Sequence, residues 1–282
     1  MNDFLAAYDA VLRRWPVPVE AIELTSPYGT TRVNACGPAG APPLILLNGG
    51  GTTSTVWFAN VASLSQVRRV YAVDRIGEAG RSQSASGTPR DSVIKTVDDL
   101  LGWLDQVIAG LGLERAELAG HSYGGWLALS YALRHQDRVA RLVLLDPTQS
   151  FAGFKPSYLL HAVPIVVRPS ADRVERFLAW ETGGADLDAD WLRLYRLGAE
   201  YRGAKVVTGG RPGAEQLREF AKPTLVVLAG GTKAHDLGKV ETGARHLPRA
   251  EVVILPGVSH HGMPFTHAAE LNDLLTRFLT KA

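Results

Sequence analysis

Ala119-Gly120-His121-Ser122-Tyr123-Gly124-Gly125 is the stretch on which the reading of this chain turns. It has the form G-x-S-x-G, preceded by the short apolar run 116–119 and followed by a helical pattern from Trp126. A strand that turns abruptly into a helix at a serine holds that residue on a tight, strained turn and exposes its hydroxyl above the sheet. Gly120 and Gly124 are then small because neighbouring chain passes close to the turn. The amide of Tyr123 opens the helix with its N–H free. The competing reading is a glycine-rich turn in which Ser122 merely caps a helix. The strand before it, the helix after it and a histidine downstream favour a nucleophile.

Outward from the turn, short apolar runs recur at 44–47, 70–73, 116–119, 142–145, 225–228 and 252–255. Bounded by turn residues, they read as strands of a parallel sheet buried on both faces. Helical stretches lie between them. Residues 92–111 carry Ile94, Val97, Leu101, Leu104 and Ile108 at helical spacing, and 126–135 and 271–279 behave alike. The alternation predicts an α/β fold, a mostly parallel central sheet flanked by helices. Residues 21–24 and 31–34, parted by Ser26-Pro27-Tyr28-Gly29, read as an antiparallel hairpin at the sheet edge.

The alternation stops between 147 and 222. Helices are expected at 156–167, 171–180 and 190–201 with no strand between them, and Tyr158, Trp180, Trp191, Tyr195 and Tyr201 are concentrated there. The expectation is a core domain of 1–146 and 223–282 with an inserted helical cap, 147–222, whose aromatic residues line an apolar pocket over Ser122. A set of ordinary packing helices is the plainer alternative.

Composition narrows the classes. Thirty basic and 28 acidic residues nearly cancel and are scattered, so no nucleic-acid surface is expected, and Arg68-Arg69 reads as a solvated helix end. A single cysteine, Cys36, excludes an internal disulfide and a cysteine-based metal cluster. The eight histidines include no H-E-x-x-H or equivalent pair at helical spacing, so neither a metal nor another cofactor is expected. Met1-Asn2-Asp3-Phe4-Leu5 has no basic start and no long apolar stretch, and no segment approaches a membrane span. A cytoplasmic protein without a membrane partner is the expectation.

Further segments carry a family resemblance. Leu46-Leu47-Asn48-Gly49-Gly50-Gly51 resembles the L-L-H-G-G-G loop of α/β-hydrolases, and residues 72–82 resemble their V-D-x-x-G-x-G-x-S stretch. Leu255-Pro256-Gly257-Val258-Ser259-His260 resembles the segment that ends in the catalytic histidine. With the elbow, these identify the chain as similar to carboxylesterase-like and proline iminopeptidase-like serine hydrolases from about Val17 onward.

The resemblance implies the remaining site residues. An oxyanion needs two or more N–H donors. Tyr123 supplies one, and Gly50 is favoured for the other, with Gly51 close behind. Asn48 stands where the family has a histidine that braces the loop. His260 is expected to be the base, and the adjacent His261 is its rival. The family's usual acid follows the strand at 225–228, but its commonest offset holds Thr232. Asp236, four residues later, is therefore expected to be the acid, which keeps the order Ser122, Asp236, His260. Asp146, after the preceding strand, is the rival, and Asp74 is excluded as a loop-bracing residue.

The expected activity is hydrolysis of a small-molecule acyl ester through an acyl-enzyme. Serine at 122 argues against dehalogenase and epoxide-hydrolase chemistry, which needs a carboxylate there. Three alternatives remain: an iminopeptidase using Glu175, Glu181, Asp186, Asp188 or Asp190 to hold an amine, a non-hydrolytic enzyme of secondary metabolism, and a slow-turnover small-ligand receptor.

Overall fold

The computed structural model describes residues 2–88, 91–201 and 203–281. Among them nine strands form one sheet: β1 (Glu20–Ser26), β2 (Gly29–Cys36), β3 (Pro43–Leu47), β4 (Arg69–Val73), β5 (Gln83–Ser84), β6 (Ala116–His121), β7 (Val139–Leu145), β8 (Thr224–Ala229) and β9 (Ala250–Leu255). Their order is β1-β2-β4-β3-β6-β7-β8-β9, with β5 pairing on β2. β1 and β2 form the expected hairpin and β2 runs antiparallel to β4, while every pair from β4 to β9 is parallel.

The central strands are mostly apolar because each face meets a separate core. Ile45, Leu47, Leu118, Leu142, Leu144, Val226 and Leu228 belong to one buried cluster. Their sequence neighbours Leu44, Leu46, Ala119, Val143, Leu145, Leu225 and Val227 belong to the other. This is the two-residue period of a strand with both faces covered.

The helices are α1 (Asn2–Leu12), α2 (Val61–Leu64), α3 (Val97–Gly110), α4 (Tyr123–Arg134), α5 (Pro156–Val167), α6 (Ala171–Thr182), α7 (Ala189–Ala199), α8 (Ala214–Arg218), α9 (Leu237–Ala244) and α10 (Ala268–Thr280). α3 and α4 cover the first face, and α2 and α10 cover the second. α3 starts later than its apolar spacing predicts because Thr96 and Asp99 form a reciprocal capping box at its N-terminus. None of these helices is long and apolar enough to cross a membrane.

Two features differ from the sequence reading. Arg68 is buried rather than solvated, and its guanidinium is held by Glu117 of β6 and the carbonyl of Leu279. A buried guanidinium needs such partners, since an uncompensated buried charge is strongly destabilising. α1 was also not anticipated. It buries Phe4, Ala7, Tyr8 and Val11, an i, i+3, i+4, i+7 stripe, and packs beside α7.

Between β7 and β8 the chain runs through α5, α6, α7 and α8, with no strand among the described residues. Val174, Phe177, Leu178 and Trp191 of this insertion join the cluster beneath the second sheet face. The insertion is thus tied into the core that carries the strand ends.

Candidate active site

At the end of β6 the backbone of Ser122 takes φ 53° and ψ −117°, a conformation costly for a residue with a Cβ. The turn closes only because its flanks are glycines. A Cβ on Gly120 would lie 2.2 Å from the carbonyl oxygen of Gly124, and one on Gly124 would lie 2.1 Å from that of Leu47. Ser122 accordingly does not cap α4 with its side chain. Its hydroxyl is partly exposed and turned to His260.

His260 follows β9, with Nε2 at 2.8 Å from Ser122 Oγ and Nδ1 at 2.6 Å from Asp146 Oδ2. With Nδ1–H donating to the carboxylate, Nε2 is free to accept the serine proton. Asp146 ends β7 in a left-handed conformation, φ 41°, and is wholly buried. Its other oxygen, Oδ1, accepts the Ala229 amide at 3.1 Å and is 3.1 Å from His235 Nε2. Burial works to raise the Asp146 carboxyl, but the bonds from His235 and His260 overcome it and hold the group well below the carboxylate range. Burial likewise works to lower His260, and the bond and charge of Asp146 raise it above its ordinary value.

The expectation for Asp236 is corrected by this geometry. Asp236 is exposed and starts α9, where Oδ1 accepts the Lys239 amide at 2.9 Å. An aspartate one residue before a helix satisfies an otherwise unpaired first-turn N–H, and that is what this side chain does. The carboxylate at His260 Nδ1 comes from the preceding strand, and the β8 loop supplies His235 instead.

His261 does not compete for Ser122, because its Nδ1 lies 3.1 Å from Glu181 Oε2. His121, on the other side of the elbow, donates Nε2–H to the carbonyl of His260 at 2.9 Å. Burial drives the His121 imidazole down to about 3, so it stays neutral.

The glycine loop after β3 is braced by its own side chains. The Gly49 carbonyl accepts Thr52 Oγ1 at 2.8 Å and Asn48 Nδ2 at 3.2 Å, and Asn48 Nδ2 also donates to the Thr52 carbonyl at 2.6 Å. A trans peptide directs the next N–H opposite to its carbonyl. The Gly50 amide therefore points away from the Thr52 side of the loop. Among the described residues neither the Gly50 nor the Tyr123 amide has a protein acceptor. Asp74 braces the neighbouring loop, accepting from Tyr8 Oη, Ser54 N and Arg81 N at 2.8–2.9 Å.

A cleft of about 330 Å³ opens beside Gly50 and Gly51, walled by Ile165, Val166, Val174, Tyr195 and Tyr201. Trp180 and Trp191, expected in such a wall, are absent from it. Trp180 stacks on His161 at 3.8 Å, and Trp191 packs between Tyr195 and Phe265. Of the aromatic residues in the insertion, Tyr158 stands edge-on to His260 at 6.3 Å.

This sheet order, elbow and serine–histidine–aspartate relay define an α/β hydrolase. The sequence pattern of the alpha/beta hydrolase family matches residues 44–274, and the chain belongs to that family. Carboxylesterase YbfK of Bacillus subtilis is 34% identical over 233 residues, which cover 80% of this chain and 76% of that protein. The crystal structure of naproxen esterase (carboxylesterase NP) from B. subtilis superposes with a TM-score of 0.88 at 27% identity, covering 99% of this chain and 98% of that one. That of carboxylesterase CesB (YbfK) from the same organism gives 0.88 at 29% identity, covering 99% of each.

Proposed function

We propose that this chain hydrolyses carboxylic esters of small molecules through an acyl-enzyme on Ser122. The observation that carries the reading is the unbroken relay from Ser122 Oγ through His260 to Asp146. The similarity to carboxylesterases over most of the chain supports the ester class.

In this reading Ser122 Oγ attacks the ester carbonyl carbon while its proton passes to His260 Nε2. Asp146 keeps the imidazole in the productive tautomer and stabilises the imidazolium. The Gly50 and Tyr123 amides hold the oxyanion. Collapse expels the alcohol, which takes the proton from His260. Water then repeats the cycle on the acyl-enzyme and releases the acid.

Residues 147–222 act as a cap whose apolar side chains, with Tyr195, receive the substrate in the adjoining cleft. The peptidase alternative needs a free carboxylate for a substrate amine. Glu175 is paired with Arg196, Asp188 and Asp190 with Arg14, and Glu181 with the loop of His260; among the described residues no partner meets Asp186. That favours an uncharged ester.

The test combines a fluorophosphonate label with a p-nitrophenyl ester assay. The wild-type protein is labelled and turns over. Ser122→Ala is folded and unlabelled, with kcat reduced by about 10⁴ to 10⁶. A Ser122→Ala rate within tenfold of wild type removes Ser122 from the nucleophile role.

A further inference from the structure

Glu181 lies in the last turn of α6, within the insertion, and is 1% exposed. A carboxylate taken out of water is costly unless its oxygens are met by donors. Among the described residues, all the donors it meets come from two consecutive positions. Oε1 accepts the His260 amide at 3.0 Å, and Oε2 accepts the His261 amide at 3.2 Å and faces His261 Nδ1 at 3.1 Å. Burial works to raise this carboxyl, and the His261 bond overcomes it and holds the group at about 2. Near neutral pH Glu181 is therefore held as an anion.

We propose that Glu181 is a positioning residue for the relay, a carboxylate supplied by the insertion that fixes the backbone carrying His260 and couples catalysis to the seating of α6. The proposal rests on the reading of Ser122–His260–Asp146 as the catalytic relay.

His260 is held at three points by three elements. The end of β7 holds its ring through Asp146 Oδ2, which accepts from His260 Nδ1, and β6 holds its carbonyl through His121 Nε2. α6 holds its amide through Glu181. The first two belong to the sheet, and only the third belongs to the insertion. A charged acceptor strengthens the bonds from backbone N–H groups, so the paired amides at 260 and 261 form a two-point anchor on one carboxylate. Without it the peptide before His260 can rotate and carry the ring off its 2.8 Å line to Ser122. A displacement of about 1 Å can cost on the order of 10²-fold in rate.

The charged and titratable groups around the His260 ring are Asp146 from β7, His121 from β6, His235 from the β8 loop, His261 beside it, Tyr158 from α5 and Glu181 from α6. Of these, Asp146 and Glu181 are the anions that raise the His260 pKa. Loss of the Glu181 charge accordingly moves the acid limb of kcat/KM to lower pH.

The experiment compares wild type, Glu181→Gln, Glu181→Asp and the control Glu175→Gln on p-nitrophenyl esters, with Tm measured for each. For Glu181→Gln the expected result is a kcat lowered about 10- to 100-fold with KM within about threefold, plus an acid limb displaced to lower pH. Glu181→Asp keeps the charge but withdraws the carboxylate by one methylene, so kcat falls while the acid limb stays. Glu175→Gln, on the exposed face of the same helix, matches wild type. Should Glu181→Gln lose thermal stability yet keep wild-type kcat and acid limb, Glu181 merely supports the fold and the proposal is overturned. If Glu181→Gln does not fold, a wild-type kcat in Glu181→Asp overturns it equally. A wild-type protein that neither takes the fluorophosphonate nor turns over esters overturns the esterase reading itself, an outcome distinct from unchanged kinetics in the variants.

Discussion

Asp146 Oδ2 and His260 Nδ1 lie 2.6 Å apart although 114 residues of chain separate them. The contact brings the end of β7 to the loop after β9 across the intervening end of β8. It makes the β7 carboxylate, not the β8-loop carboxylate, the partner of the imidazole. Asp146→Asn is expected to cost about 10⁴ in kcat, since the amide favours the unproductive tautomer. Asp236→Asn keeps an equally good N-cap and leaves kcat and Tm near wild type. Steady-state kinetics on the two variants decide the matter, and equal losses would contradict the assignment.

Gly50 separates backbone chemistry from side-chain space. A Cβ there meets nothing within 4 Å, so Gly50→Ala keeps the amide and is expected to remain within about tenfold of wild type in kcat. Gly50→Pro removes the N–H and with it the proposed oxyanion donor. The expected loss is about 10² to 10³ in kcat with KM little changed. Comparable rates for the two variants would move the donor role to another amide.

The pH dependence draws on buried histidines of opposite sign. His260 must be neutral to act as base, and its pKa is raised, so the acid limb of kcat/KM lies above the ordinary value of about 6.5. Its contribution to stability is complete below about pH 6.5 and is lost as pH rises through the folded pKa. His121 is held down at about 3, so below pH 6.5 the unfolded chain takes up a proton that the folded chain refuses. Its contribution is present above about 6.5 and falls with pH by at most about 1.4 kcal/mol per unit. Melting curves should therefore show Tm falling from pH 6.5 to 4.5. His261, also lowered by burial, adds to the same fall, so a flat profile would show that neither His121 nor His261 is held neutral in the folded protein.

The elbow is expected to tolerate no side chain at Gly124. A Cβ would meet backbone oxygens of Leu47 and Asn48 at 2.1 and 2.6 Å, atoms that belong to β3 and its loop and cannot yield. Gly124→Ala should lower stability by about 3 kcal/mol or more, read as a shifted urea midpoint or loss of soluble protein. A variant as stable as wild type would mean that the turn opens without penalty.

Much of this fold is legible in the sequence because its determinants are local. Strands with both faces covered are apolar at nearly every position, so 142–145 and 225–228 announce a buried parallel sheet without knowledge of their neighbours. The three main insertion helices are legible for the same reason, being set by short-range periodicity. α1 carries an equally clear stripe, and that signal could have found it. The pocket wall is less legible. An aromatic residue on a helix can serve the cleft or the packing beneath it, and Trp180 and Trp191 serve the packing.

The meeting of Ser122 and His260 was within reach of the sequence alone. The elbow depends on backbone contacts within a few residues, and the histidine loop on its place after a strand. The acid was not. Asp146 and Asp236 both follow strands that lie side by side in the sheet, and each is a chemically adequate partner for an imidazole. The tertiary structure decides between them. The β8 loop spends Asp236 on the N-terminus of α9, while the left-handed turn at Asp146 leaves a buried carboxylate that only His260, His235 and the Ala229 amide can satisfy. Such a choice rests on contacts across scores of residues, and no local pattern encodes them.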